Sequence, residues 1–289
     1  MKGTPQTALL TGGTSGIGKA VAKKLAKTGV KLYLSYRDPD KAQAFIDELK
    51  ALSGNEHIYG LECDLGSLSS VADMANQFLA REEPLDLLIN NAGILGQKNR
   101  TVSKDGYEMT LAVNYLSTYL LTIKLLPAIR RGAPAKIINV ISLFYQSITH
   151  EDFPKVIKDF NATEKYDPYR QYALSKLAIF YLTIELSKKL KSELISVNAL
   201  HPGMVFTRMS KNMSFFSRLR LKLFRTGDWS SPEQAAEKYL HLCSLPQADN
   251  VTGRLFSDNH LCEPTPIALN QAYSKTMLDL SHDLVRDYL

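Results

Sequence analysis

The chain has 289 residues, with 35 basic and 29 acidic side chains and a net charge of +6 spread along its length. With no Gly/Ser- or Pro-rich linker, low-complexity tract or internal repeat, one α/β domain over 1–289 is the simplest organisation. The dispersed charge excludes a nucleic-acid stripe, and the three cysteines and six histidines lack ligand spacing, which excludes a metal centre and points to free thiols in a reducing, cytoplasmic setting.

Thr7–Leu10 is an apolar run that predicts the first strand, so close to the start that no signal peptide is expected before it. It leads into Thr11-Gly12-Gly13-Thr14-Ser15-Gly16-Ile17-Gly18, after which Ile17, Val21, Ala22 and Leu25 recur at helical spacing. In a strand, glycine-rich turn and helix, glycines let backbone approach a pyrophosphate, and the helix start offers free N–H groups to an anion. The spacing is G-x-x-x-G-x-G rather than G-x-G-x-x-G, and the alternative is a tight turn that needs glycines for packing alone.

Val30–Ser35 predicts the second strand, and Tyr36-Arg37-Asp38-Pro39 then opens a helix reaching about Leu52. Asp38 lies 20 positions beyond Gly18, where an acid would bind the adenosine ribose of NAD. Directly before Pro39, it also has the place of a helix N-cap. Read as a cap, it leaves Arg37 free to meet a 2′-phosphate, so NADP(H) is favoured over NAD(H).

Ile58–Leu61 predicts the third strand, ending at Cys63-Asp64-Leu65. Asp64 can accept from an adenine amino group or cap a helix beginning near Ser67. Leu85–Ile89 predicts the fourth strand and runs into Asn90-Asn91-Ala92-Gly93, small residues across which a cofactor can lie. A helix from about Asp105 to Arg130 carries Asn114, a poor helix former that is either a core amide bonded to neighbouring backbone or a site residue. Its apolar stretch, Tyr115–Ile129, is broken by Lys124, so no transmembrane segment is expected. Lys136–Ile141 predicts the fifth strand, with Ser142 at the end where α/β sheets bind ligands.

Tyr172-Ala173-Leu174-Ser175-Lys176 places Tyr172 and Lys176 four apart, on one face of a helix. A nearby ammonium lowers a phenol pKa of ~10, which would fit Tyr172 to exchange a proton with a carbonyl or alcohol. The same spacing also arises on solvated helices. Leu194–Ala199 predicts the sixth strand, followed by His201-Pro202-Gly203. Over Met213–Arg225, an apolar stripe of Phe215, Phe216, Leu219 and Leu223 opposes Arg218, Lys222 and Arg225. Three readings stand: a substrate lid at about 208–228, a membrane-surface helix, or an ordinary amphipathic helix. A helix over Pro232–Cys243 with Ser231 as N-cap, a short strand at Arg254–Phe256 and a C-terminal helix within Pro264–Leu289 complete the pattern.

The ordered set TGGTSGIG (11–18), CDL (63–65), NNAG (90–93), VNYLS (113–117), INVIS (138–142), YALSK (172–176) and HPG (201–203) resembles the short-chain dehydrogenase/reductase family. The resemblance implies a doubly wound Rossmann domain with a seven-stranded parallel sheet and helices on both faces. It implies a nicotinamide cofactor and a catalytic group of Asn114, Ser142, Tyr172 and Lys176. Cofactor contacts are implied at Gly12, Thr14, Ser15, Gly16, Ile17, Gly18, Arg37, Asp64, Leu65, Asn91, Ala92, Gly93, Tyr172, Lys176, Pro202, Gly203, Val205 and Thr207.

Ser142 and Tyr172 are 30 residues apart, with an insertion at 143–170. That spacing, YRQYALSKLAI and RLFSDN (254–259) are similar to the retinol dehydrogenase and WW-domain oxidoreductase branch. Tyr36-Arg37-Asp38 resembles that branch's Cys-Arg-Asp, which is associated with NADP. The implied function is reversible hydride transfer between NADP(H) and an apolar small-molecule carbonyl or alcohol. The alternative is a catalytically silent NADP(H)-binding sensor or scaffold. Peripheral membrane contact through 213–225 and a homodimer through the helices of Asn114 and Tyr172 are the partner expectations.

Overall fold

The expected alternation of strands and helices is present in a computed structural model, which describes residues 6–205, 230–246 and 251–289. The strands are β1 (Thr7–Leu10), β2 (Lys31–Tyr36), β3 (Ile58–Glu62), β4 (Leu87–Asn90), β5 (Ala135–Val140), β6 (Ile195–His201), β7 (Leu255–Ser257) and β8 (His260–Cys262). They form one sheet in the order β3-β2-β1-β4-β5-β6-β7-β8. β1 to β7 pair in parallel. The order reverses between β1 and β4, which opens a crevice at their C-terminal ends. Strands covered on both faces need apolar residues on both, hence the continuous apolar runs at β1 and β4.

Among the described residues the sheet has eight strands rather than the seven expected. β8 is antiparallel to β7. The turn between them is Asp258–Asn259, both with positive φ (51° and 65°), as a two-residue hairpin turn requires. Asp and Asn tolerate that conformation, but two arms of three residues are too short to show alternation.

The helices are α1 (Gly16–Ala26), α2 (Pro39–Ser53), α3 (Leu68–Leu79), α4 (Met109–Arg131), α5 (Phe153–Lys158), α6 (Pro168–Leu190), α7 (Pro232–Ser244) and α8 (Gln271–Val285). Residues of α1, α2 and α7 form the core on one face of the sheet, and those of α3, α4, α6 and α8 the core on the other. α2 starts as anticipated: the Asp38 carboxylate accepts from Lys41 N–H, and Pro39 occupies the first turn. α7 has the expected Ser231 cap, completed by Gln234 as a capping box.

α4 departs from the uniform helix expected over 105–130. It begins at Met109, where the Glu108 carboxylate accepts from Leu111 N–H. Ala112–Leu116 is a π turn within it, and that turn holds Asn114. The helix is 23 residues long and apolar enough to cross a membrane by length and composition, which the interruption at Lys124 did not suggest. Its apolar window is 72% buried inside the fold, so it serves as a core helix here.

The insertion at 143–170 is packed. Tyr145 is buried and stacks on Phe180 of α6 at 5.9 Å. Phe153 stacks on Tyr273 of α8 at 4.1 Å and meets Tyr181 edge-on. The Asp159 carboxylate accepts from the N–H groups of Thr163, Glu164 and Lys165, closing the following loop. The expected lid at 208–228, with its stripe at 213–225, lies outside the described residues, as does Thr207.

Candidate active site

The glycine turn after β1 is built so that chain meets chain. Gly12 has φ +67°, and a Cβ there would lie 2.9 Å from Ala92 Cα. A Cβ on Gly18 would lie 2.1 Å from the Gly12 carbonyl oxygen. Thr11, a residue not singled out from sequence, ties this turn to β4: its Oγ1 accepts from Asn91 and Ala92 N–H, both at 3.0 Å. Asn91 answers by donating Nδ2 to the Thr11 carbonyl at 2.9 Å. The first turn of α1 has no acidic residue, and Ser15 makes no side-chain cap, so Gly16, Ile17 and Gly18 stand at a helix start suited to an anion. Thr14 and Ser15 border the same turn.

Ser142 caps the short helical turn Leu143–Ser147, its Oγ accepting from Phe144 N–H at 3.2 Å. Tyr172 reaches it from α6. Burial raises the phenol pKa of Tyr172, and the neighbouring Ser142 side chain offsets part of that rise. The lowering expected from Lys176 is therefore not the dominant effect here. Lys176 Nζ lies 5.7 Å from the Tyr172 ring centroid and donates to the Val140 carbonyl at 2.9 Å. Its burial pushes the ammonium pKa down to about 8.

Asn114 is fully buried, and the π turn sets its side chain on the loop after β4. Its Oδ1 accepts from Ile94 N–H at 2.7 Å, while Nδ2 donates to the Ile94 carbonyl and to Ser175 Oγ. This is the core-amide arrangement weighed from the sequence, and it also lies next to the site. Gly93 lies between Asn114 and Lys176, since a Cβ there would stand 3.4 Å from both Asn114 Oδ1 and Lys176 Nζ.

Around the crevice, Asp64 does not cap α3. Its Oδ1 accepts from Gly66 N–H and its carboxylate pairs with Lys104, while Ser67 is the N-cap and Asp105 accepts from Leu68 N–H. Leu65 is packed against the core. Arg37 is exposed at the end of β2, and the Tyr36 ring lies over Gly60 of β3. Pro202, Gly203 and Val205 follow β6, with Gly203 at φ +88°. Two residues of α7 had no sequence signal. Tyr239 is fully buried and donates to Asn91 Oδ1 at 2.9 Å; burial, with a smaller contribution from Tyr172, raises its phenol pKa. Lys238 donates to the Pro202 carbonyl. The uncapped start of α1, with no acidic residue in its first turn, fits the pyrophosphate of a dinucleotide.

Residues 6–148 match the short chain dehydrogenase family model. Retinol dehydrogenase 13 of Mus musculus is 34% identical over 285 residues, covering 97% of this chain and 84% of that protein. This chain belongs to the short-chain dehydrogenase/reductase family. Within that oxidoreductase family it falls in the retinol dehydrogenase-like branch. Polyprenol dehydrogenase of Mus musculus is 31% identical, over 94% of this chain and 81% of that protein. Among solved structures, the Pseudomonas aeruginosa RhlG/NADP active-site complex superimposes with a TM-score of 0.67 at 26% identity, covering 87% of this chain and 94% of that one. A Burkholderia cenocepacia short chain dehydrogenase in complex with NADP has a TM-score of 0.68, covering 88% and 96%; at 23% identity it shows the shared fold.

Proposed function

We propose that this chain works as one domain and transfers hydride reversibly between NADP(H) and the carbon of an apolar carbonyl or alcohol. The observation that carries this is the meeting of Ser142 and Tyr172 beside the buried ammonium of Lys176, which lies 5.7 Å from the Tyr172 ring, at the C-terminal ends of the strands. The nicotinamide would supply the hydride in reduction and accept it in oxidation.

In reduction, Tyr172 gives its proton to the substrate oxygen. A phenol whose pKa burial has raised stays protonated at neutral pH, which suits that role. Phe144 N–H occupies an acceptor site on Ser142 Oγ, so the serine hydrogen is available to steady charge on the substrate oxygen. Lys176 holds a positive charge behind the phenol and favours its deprotonated form after transfer. Asn114 fixes the loop after β4 against Ser175, and we assign to it the ordering of a proton-relaying water toward Lys176.

NADP(H) over NAD(H) is supported by Asp38, whose carboxylate is engaged as a helix cap, and by Arg37 exposed beside it. The RhlG structure, at 26% identity, is a complex with NADP, which supports that choice. An apolar substrate is supported by Phe144, 40% exposed and 6.2 Å from the rings of both Tyr169 and Tyr172. Relatives are named for retinol and polyprenol, both apolar alcohols. Free cysteines at 63, 243 and 262 support a cytoplasmic setting.

The test is kcat/KM with NADPH and NADH on one aldehyde, for wild type and Arg37→Ala. Losing a charge-assisted phosphate contact should cost NADPH ~1.5–3 kcal/mol and leave NADH nearly unchanged. Equal losses for both cofactors, or a wild type that prefers NADH, would remove Arg37 from this role.

A further inference from the structure

The loop after β6 rests on a buried lysine, paired with an exposed aspartate, from outside the family motifs. Lys238 of α7 is only 8% exposed, and its Nζ donates to the Pro202 carbonyl at 2.9 Å and to the Asp258 carboxylate in the β7–β8 turn. A Cβ on Gly203 would lie 2.8 Å from that ammonium, so Lys238 occupies the space that a side chain at 203 would fill. The loop is further held by Ser230 N–H on the Met204 carbonyl. Three separate pieces of chain therefore converge on one ammonium: α7, the hairpin turn and the loop 201–205.

A buried lysine is a poor choice for stability alone. Taking a charge out of water is costly, and an apolar side chain of the same length is often no worse. What the ammonium adds is direction, because it holds one particular carbonyl at one particular distance. Asp258 completes the arrangement: the Lys238 hydrogen bond, with a smaller contribution from His201, keeps its carboxyl below the usual range.

We propose that Lys238, braced by Asp258, is a positioning residue that holds Pro202 and Gly203 in the conformation that receives the nicotinamide end of the cofactor. The inference rests on the cofactor reading above, in which the family resemblance implies cofactor contacts at Pro202 and Gly203, and it places those contacts at the nicotinamide end. It sets the nicotinamide end apart from the adenosine end, which is held by the glycine turn and Arg37.

Binding measurements separate the two ends. Dissociation constants are measured by calorimetry for NADPH and for adenosine 2′,5′-bisphosphate, which carries only the adenosine end, on wild type, Lys238→Met, Lys238→Arg and Asp258→Asn. The emission of bound NADPH reports the nicotinamide surroundings directly. Lys238→Met should weaken NADPH at least about tenfold, the scale of a lost charged hydrogen bond, and shift its emission. Adenosine 2′,5′-bisphosphate should bind it as tightly as wild type, Lys238→Arg should recover part of the loss, and Asp258→Asn should show the same pattern more weakly. Where Lys238→Met does not fold, Asp258→Asn carries the test, because its carboxylate side chain is 69% exposed. Unchanged NADPH binding, or equal weakening of both ligands, overturns the proposal. A wild type that binds neither ligand overturns the cofactor reading itself, a failure seen without any variant.

Discussion

Tyr172 and Lys176 lie on one face of α6, and burial moves both toward their neutral forms, raising the phenol and lowering the ammonium. Tyr172→Phe keeps the ring and removes the proton. Turnover should fall ~10²-fold or more with cofactor affinity nearly unchanged; activity within a few-fold of wild type would exclude the phenol as proton donor. Lys176 has a folded pKa of about 8 against an ordinary 10.5. The folded state therefore binds fewer protons than the unfolded state across that window, and stability rises with pH through it. The burial penalty is fully present below about pH 8, on the order of 3 kcal/mol, and is relieved by about pH 10.5. In cofactor-free protein, Lys176→Met should thus gain stability over wild type at pH 7, and that gain should shrink at pH 10. Urea unfolding at the two pH values measures it, and a pH-independent difference would contradict the assignment.

The insertion at 143–170 divides into a part that supports the fold and a part that faces the crevice. Phe153 is buried between Tyr273 and Tyr181. Phe153→Ala should cost about 3–5 kcal/mol, seen as a lower Tm, because a large cavity would open between α6 and α8. Phe144 is exposed, and Phe144→Ala should change stability by no more than about 0.5 kcal/mol. It should instead raise KM for bulky flat aldehydes while leaving a small aldehyde little affected. Equal effects on both substrates would argue that Phe144 does not line the substrate path.

At the scale of the whole molecule, the C-terminal helix decides which surfaces remain open. Ser281 of α8 bonds Tyr115 of α4 at 2.6 Å, Tyr181 of α6 donates to the Ile267 carbonyl just before α8, and Lys124 of α4 donates to the Tyr288 carbonyl. The chain thus covers α4 and α6 with its own terminus. Because α8 and its flanks bond both helices, α4 and α6, that a homodimer would use, we expect sedimentation equilibrium to find a 32.3 kDa monomer. A dimer lost on deleting residues 271–289 would instead place the pairing surface on α8 itself.

Much of this architecture follows from local pattern. Strands buried on both faces must be apolar throughout, so β1 and β4 stand out, and the four-residue spacing of Tyr172 and Lys176 follows from the period of a helix. Asp38 before Pro39 could be assigned as a cap because capping involves only the next three residues. The resemblance names Ser142 and Tyr172, but they are 30 positions apart and are brought together by an insertion whose path depends on packing against α8. The π turn at Asn114, the antiparallel β8 and the reach of Lys238 and Tyr239 were not legible. On sequence, Lys238 and Tyr239 are ordinary positions of an amphipathic helix. The direction of the Tyr172 shift also came only from tertiary structure. Periodicity and caps are set by neighbours along the chain, whereas desolvation and long-range hydrogen bonds are set by whichever residues the fold brings from elsewhere.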